Sequence, residues 1–109
     1  MSSLHYDAIH PLPPGIQPMV RKQAVQLAIE AGGWTVSPDT AFISKDFRLE
    51  SFAAALNFIN IIGSLAMAQK YYPAIGLEGT KVTIVLSSPE FKGLSQNDFI
   101  LAAKITHLL

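Results

Sequence analysis

The sequence contains no cysteine, one tryptophan and few charged residues. The absence of cysteine excludes disulfide bonds, thiolate nucleophiles and cysteine metal sites. Charged residues make up 15% of the 109 residues, where a typical soluble domain has about 25%, and 50% of the residues are hydrophobic. Much apolar surface must therefore be covered, and we expect the chain to associate with a second copy of itself.

The distribution of charge and the absence of known motifs exclude several classes of function. Eight basic and eight acidic side chains cancel without clustering, which disfavours nucleic acids and anionic membranes as partners. A glycine-rich phosphate loop, a His-x-x-x-His or carboxylate-rich metal motif and a Gly-x-Ser-x-Gly elbow are all missing. We therefore expect no bound metal. The N-terminus lacks the pattern of a secretory signal, so the expected location is the cytoplasm.

The beginning of the sequence differs in character from the rest. Residues 1–18 contain four prolines and no periodic pattern, and we expect them to form an extended arm. Residues 19–109 are predicted to form one domain, since the chain is long enough for a single core but too short for two. Its first helix should hold Pro18 in the first turn and stop at Gly32-Gly33.

Local signals predict the remaining elements. Strands are indicated where β-branched and aromatic residues lie between turn residues: around Val36, from Phe42 to Leu49, at 74–78 and at 81–87. Ser51 should cap a long helix that ends before Pro73, and Ser95 with Asp98 has the spacing of a capping box for a last helix. The order αββαββα predicts an α+β fold, a four-stranded antiparallel sheet with three helices on one face.

The long central helix is unusual because residues 51–69 carry no formal charge. Its predicted apolar positions follow the helical period: Phe52, Ala55, Leu56, Ile59, Ile62 and Ala66. The length approaches that of a membrane span, but Asn57, Asn60 and Ser64 form one polar stripe, which argues against a span. The stripe either bonds to another helix or faces solvent, and we expect the apolar part of the outer face to contact another subunit.

Two segments resemble the pterin-4a-carbinolamine dehydratase family. FRLESFAAALNFINIIGSLAMAQKYYP, which starts at Phe47, is similar to that family's strand and long helix, and GLSQND is similar to the entry to its last helix. Pro73 and Asp98 match residues of these motifs. The resemblance covers about three-quarters of the chain, from Gly32 onward, and it implies the fold predicted above. It also implies where acid-base groups would lie if this chain were an active dehydratase.

The positions that are catalytic in that family hold other residues here. Carried over one by one, Tyr71 and Tyr72 stand in place of a histidine pair, Pro89 in place of a later histidine, Met67 in place of an acid and Gly79 in place of an aromatic residue. Dehydration needs groups that titrate near neutral pH, whereas phenols ionise near pH 10. The resemblance thus implies a degenerate site without catalytic residues, and we expect no enzymatic activity.

The substituted residues and the histidines each allow more than one interpretation. Tyr71 and Tyr72 are either anchors of a protein interface, which we favour, or residues that close a vacated pocket. Met67 is interpreted as core filler rather than as part of an apolar contact. The histidines, all outside the motif positions, are expected on solvated surface: His5, His10 and His107.

Among proteins of this fold that lack the histidines, the chain is similar to the RuBisCO assembly factors of α-carboxysome operons. This resemblance implies a chaperone, a homodimer that binds RuBisCO large subunits transiently, with no cofactor and no turnover. Tyr71 and Tyr72 are the expected partner-binding residues. Two alternatives stay open: an active dehydratase that uses Tyr71 or Tyr72 as its acid, and a dimerisation cofactor of a transcription regulator.

Overall fold

A computed structural model describes residues 4–6, 9, 19–88 and 93–109. After a short 3-10 turn at Leu4–Tyr6 the elements follow the predicted order. They are α1 (Arg21–Glu30), β1 (Thr35–Val36), β2 (Ile43–Arg48), α2 (Phe52–Gln69), β3 (Ala74–Glu78), β4 (Lys81–Leu86) and α3 (Gln96–Thr106). The α+β prediction is therefore confirmed: four antiparallel strands form one sheet, and three helices accompany it.

The sheet has the strand order β1-β2-β4-β3, so β3 lies at an edge. The predicted hairpin joins β3 to β4 in antiparallel register, with Ala74 opposite Val85 and Glu78 opposite Lys81. Gly79 has φ +61° at its tip, in the left-handed region that glycine adopts without steric cost. Along β4 the buried residues alternate with half-buried ones, which is the pattern of a strand with a single core face.

By internal packing the chain divides into two compact units, and Ser44–Val85 is one of them. Here α2 buries one side, where the ring of Phe58 meets the ring of Phe47 edge-on with centroids 5.1 Å apart. The buried positions of α2 are Ala55, Phe58, Ile62 and Ala66. The prediction that Phe52 and Leu56 belong to this core is wrong, since both side chains are exposed.

The second unit comprises Met1–Ile43 and Leu86–Leu109 and is built around α3, most of whose side chains are buried. The indole nitrogen of Trp34 donates a hydrogen bond to Thr106 Oγ1 at 2.8 Å. Gly32 has φ +114° and lies next to Thr106. A Cβ atom at position 32 would overlap the side chain of Thr106. The Gly32-Gly33 stop signal therefore also permits close packing of α1 against α3.

The N-terminal arm departs from expectation where it is described. Leu4–Tyr6 form a 3-10 turn rather than an extended strand, and this turn packs on α3 with Leu4 buried. Burial of Leu4 against an apolar helix stabilises a local structure that no periodic pattern announces. Pro18, His10 and most of the predicted arm lie outside the described residues, so its proline-rich part stays a prediction.

Within the described part of the chain, α2 is long and apolar enough to cross a membrane by length and composition. Helices in protein cores have the same composition, so this property by itself does not distinguish between them. The predicted polar stripe of Asn57, Asn60 and Ser64 is exposed in the structure. The outer side of α2 is therefore uncharged but mixed in polarity.

Candidate functional site

Most of the residues that are predicted to stand at the family's catalytic positions lie where α2 ends and β3 begins. Met67 is in the last turn of α2, and Tyr71 and Tyr72 follow directly after the cap. Pro89 lies outside the described residues, so its geometry is not part of the site described below.

The helix ends through a left-handed residue rather than through proline. Lys70 has φ +56° and donates its backbone N–H to the carbonyl oxygens of Ala66 and Met67. The backbone N–H of Tyr71 also donates to Ala66 O, at 3.1 Å, which is the long-range bond of a Schellman-type cap. This cap turns the chain at residue 70, three positions before Pro73. The backbone of Tyr71 is thereby fixed at the helix end.

The side chains around this cap present an apolar surface to solvent. Met67 is 65% exposed and Tyr72 is 73% exposed, whereas Tyr71 is half-buried. Ile75, on the first part of β3, is also exposed. The interpretation of Met67 as core filler is wrong, because the side chain points away from the buried side of α2. We call Met67, Tyr72 and Ile75 the apolar patch.

Acid-base chemistry at this place would have to rely on the two phenols. Met67 has a thioether, which does not titrate, and tyrosine is the only ionisable residue type at the three described positions. Among the described residues there is also no group of three or more His, Asp or Glu side chains that could hold a metal ion. The patch therefore has the composition of a contact surface, with amphipathic rings and a flexible thioether.

The other motif residue, Asp98, has a structural position. Its carboxylate is fully buried and accepts hydrogen bonds from the backbone N–H of Ser95 at 2.8 Å and from Ser88 Oγ at 2.9 Å. The hydroxyl groups of Ser88 and Ser95 are 3.1 Å apart and complete a small polar network. The prediction that Asp98 caps the last helix is confirmed, and this arrangement orders the start of α3.

The outer side of α2 forms a second surface. Phe52, Leu56 and Ile61 are exposed on this helix in addition to the polar stripe, and the helix contains no charged side chain from its first residue to its last. A helix face without charge, together with an edge strand such as β3, is a surface on which proteins associate. In contrast to the patch, this surface lies along the helix rather than at its end.

The two histidines that the structure describes, His5 and His107, differ in their exposure to solvent. His107 is exposed, as expected, and His10 lies outside the described residues. The expectation of a solvated His5 is wrong: its ring stacks on that of His107 with centroids 3.9 Å apart, and its Nε2 atom is buried. No signal in the sequence around His5 indicates this burial, because its partner is a hundred residues away along the chain.

The element order, the sheet and the two capped helices define an α+β protein of the dehydratase-like class. The chain belongs to the pterin 4 alpha carbinolamine dehydratase family, whose sequence model matches residues 17–108. The resemblance to this family that the motifs indicated is thereby confirmed.

Individual relatives are similar over nearly the whole chain. A protein of Cupriavidus pinatubonensis provisionally named pterin-4-alpha-carbinolamine dehydratase 1 is 36% identical over 94 residues, which are 86% of this chain and 81% of that protein. One of Rubrobacter xylanophilus, provisionally named for the same activity, is 32% identical over 99% of this chain and 100% of its own length. A crystal structure of a transcriptional coactivator/pterin dehydratase from Brucella melitensis has a TM-score of 0.78 at 16% identity, covering 84% of this chain and 98% of that one. At that identity the structure indicates the fold alone.

Proposed function

We propose that this protein is a non-catalytic member of the dehydratase family that acts by binding another protein. The observation that supports this most is the presence of Tyr71 and Tyr72 at the positions of the histidine pair, with Tyr72 exposed. A carbinolamine loses water only if its hydroxyl is protonated and a nitrogen proton is removed. Groups that ionise far from neutral pH exchange protons too slowly for both steps.

The proposed partner is the RuBisCO large subunit, whose assembly the protein would promote without a cofactor, in the cytoplasm. This choice of partner comes from the resemblance to RuBisCO assembly factors of α-carboxysome operons. The apolar patch supports a binding role in general, since tyrosine is enriched among the residues that dominate interface energies and methionine adapts to different partner surfaces. The patch is small, which suits a transient contact.

We also propose that the protein works as a homodimer and that the outer side of α2 faces the second copy. The support is the exposure of Phe52, Leu56 and Ile61 on a helix without any charge. Replacing Leu56 by lysine places a charge in this contact and should convert dimer to monomer in equilibrium sedimentation, because an unpaired charge is costly to bury. Val25→Lys, at a similarly exposed position on α1, is the control and should leave the mass unchanged. A dimer that persists in Leu56→Lys would contradict this interface.

The assembly function is tested by co-expression with RuBisCO subunits. The intact protein should raise the yield of assembled RuBisCO, and Tyr71→Ala/Tyr72→Ala should lose most of this effect. Truncating a dominant interface residue costs about 2 kcal/mol, so binding of the large subunit should weaken about 30-fold. Ile29→Ala removes an exposed apolar side chain on α1, 65% against 73% for Tyr72, and should behave like the unmodified protein. Equal yields of assembled RuBisCO with and without the intact protein would contradict the proposal.

The alternative of an active dehydratase has its own support in the names of the relatives. Incubating the purified protein with a 4a-hydroxytetrahydropterin distinguishes dehydratase activity from the assembly function. We expect the rate of dehydration to equal the uncatalysed rate between pH 6 and 9. Turnover that disappears in Tyr71→Phe or Tyr72→Phe would instead establish a phenol as the acid, because phenylalanine keeps the ring and removes only the hydroxyl group.

A further inference from the structure

The contact between the N-terminal 3-10 turn and α3 places two imidazole rings together. The ring of His5 lies between Tyr6, at a centroid distance of 4.0 Å, and His107, at 3.9 Å, and the two imidazoles are nearly parallel. Lys104, one turn earlier on α3, donates a hydrogen bond from Nζ to the backbone oxygen of His5 at 2.8 Å. The turn is therefore held between two basic side chains of one helix.

The imidazole of His5 is suited to this position only when it is uncharged. Its Nε2 atom is buried and has no hydrogen-bond partner among the residues that the structure describes. A second proton would therefore create a buried N–H group without an acceptor, next to another imidazole and near an ammonium group. Among the described residues, Glu30 at the end of α1 also lies near the turn: it lines a cavity of about 290 Å³ together with His5 and His107. Glu30 is exposed, so solvent and salt weaken its attraction.

We propose that docking of Leu4–Tyr6 on α3 is a pH-sensitive contact, closed when His5 is neutral and opened when His5 takes up a proton. Opening would expose Leu4 and uncover the end of α3 around Ala103 and His107. This pH-sensitive contact is independent of the proposed binding function, since none of its residues belongs to the apolar patch or to α2.

The direction of the pH effect follows from the surroundings of the ring. Burial is the largest influence and lowers the pKa of His5 below its ordinary value of 6.5, and the nearby charges of His107 and Lys104 lower it further. In the released turn the ring regains its ordinary pKa and binds more protons than the docked ring. Docking is therefore complete above pH 6.5 and weakens as the pH falls below that value. The docked-to-released ratio should therefore be lower at pH 5 than at pH 8.

Nuclear magnetic resonance of the full chain tests this directly, because the sequence contains only three histidines. Ring-proton titration should give His5 a pKa below its ordinary value of 6.5. The backbone amides of Leu4–Tyr6 should become mobile with the same midpoint, while the far-UV circular dichroism of the helices stays constant. His5→Phe keeps a planar ring without a titrating group and should remain docked at pH 5, whereas His10→Gln should still release. His107→Gln removes one repelling charge and should reduce the pH dependence.

Three results would overturn the proposal. The first is a turn that is equally ordered at pH 8 and pH 5. The second is release of the same extent in His5→Phe, which would assign the effect to another group. The third is loss of the helical signal over the same pH range, which would mean that the whole fold opens rather than this contact.

Discussion

The motif at the start of α3 and the motif at the end of α2 differ in burial: the first holds a buried polar residue and the second holds exposed residues. At the start of α3 the motif residue Asp98 is buried, and its carboxylate is bonded to Ser88 and Ser95. At the end of α2 the motif positions hold Met67 and Tyr72, which are exposed and apolar. A buried polar side chain needs a complete set of hydrogen-bond partners, whereas the backbone hydrogen bonds that end α2 do not depend on which side chains stand beside them.

Removal of the buried carboxylate of Asp98 should have the largest effect on the stability of the fold. Asp98→Ala leaves the N–H of Ser95 and the hydroxyl of Ser88 without their acceptor, and it should reduce the free energy of unfolding by about 3 kcal/mol. Urea denaturation measures this difference. Asp46→Ala is the matched control, because its carboxylate also accepts a hydroxyl hydrogen bond, from Thr83 at 2.8 Å, but is exposed. If both variants lose less than about 1 kcal/mol, burial does not distinguish the two carboxylates.

A smaller change in stability is expected at the end of α2. Lys70 holds a left-handed conformation that costs a residue with a Cβ about 1 kcal/mol, so Lys70→Gly should stabilise the fold by about 0.5–1 kcal/mol. Gln69→Gly, one residue earlier and still helical, should instead destabilise it by about 1 kcal/mol. Thermal unfolding of the two variants checks the opposite signs. Destabilisation by Lys70→Gly would show that the lysine side chain, rather than its backbone, supports this end of α2.

The candidate site was predictable in part. Alignment with the family motif identified Met67, Tyr71 and Tyr72 from the sequence, since no gap separates them from the start of β2. Their exposure was not predictable, and for Met67 the expectation of a core position was wrong. The polar stripe of α2 indicated an exposed side, but how far the buried side extends depends on the elements that pack against the helix, so the apolar residues beside the stripe could not be assigned from the sequence.

Local sequence was sufficient to predict the order of the elements and several of their ends, although α1 begins at Arg21 and not with Pro18 in its first turn. Ser51, Ser95 with Asp98, and the turn at Gly79 act through bonds and backbone preferences within a few residues, so local sequence is sufficient to specify them. Only the tertiary structure decided that Phe58 rather than Phe52 enters the core and that His5 meets His107. Such contacts join residues far apart in the chain, and their energy comes from surface that is buried only when the whole fold forms.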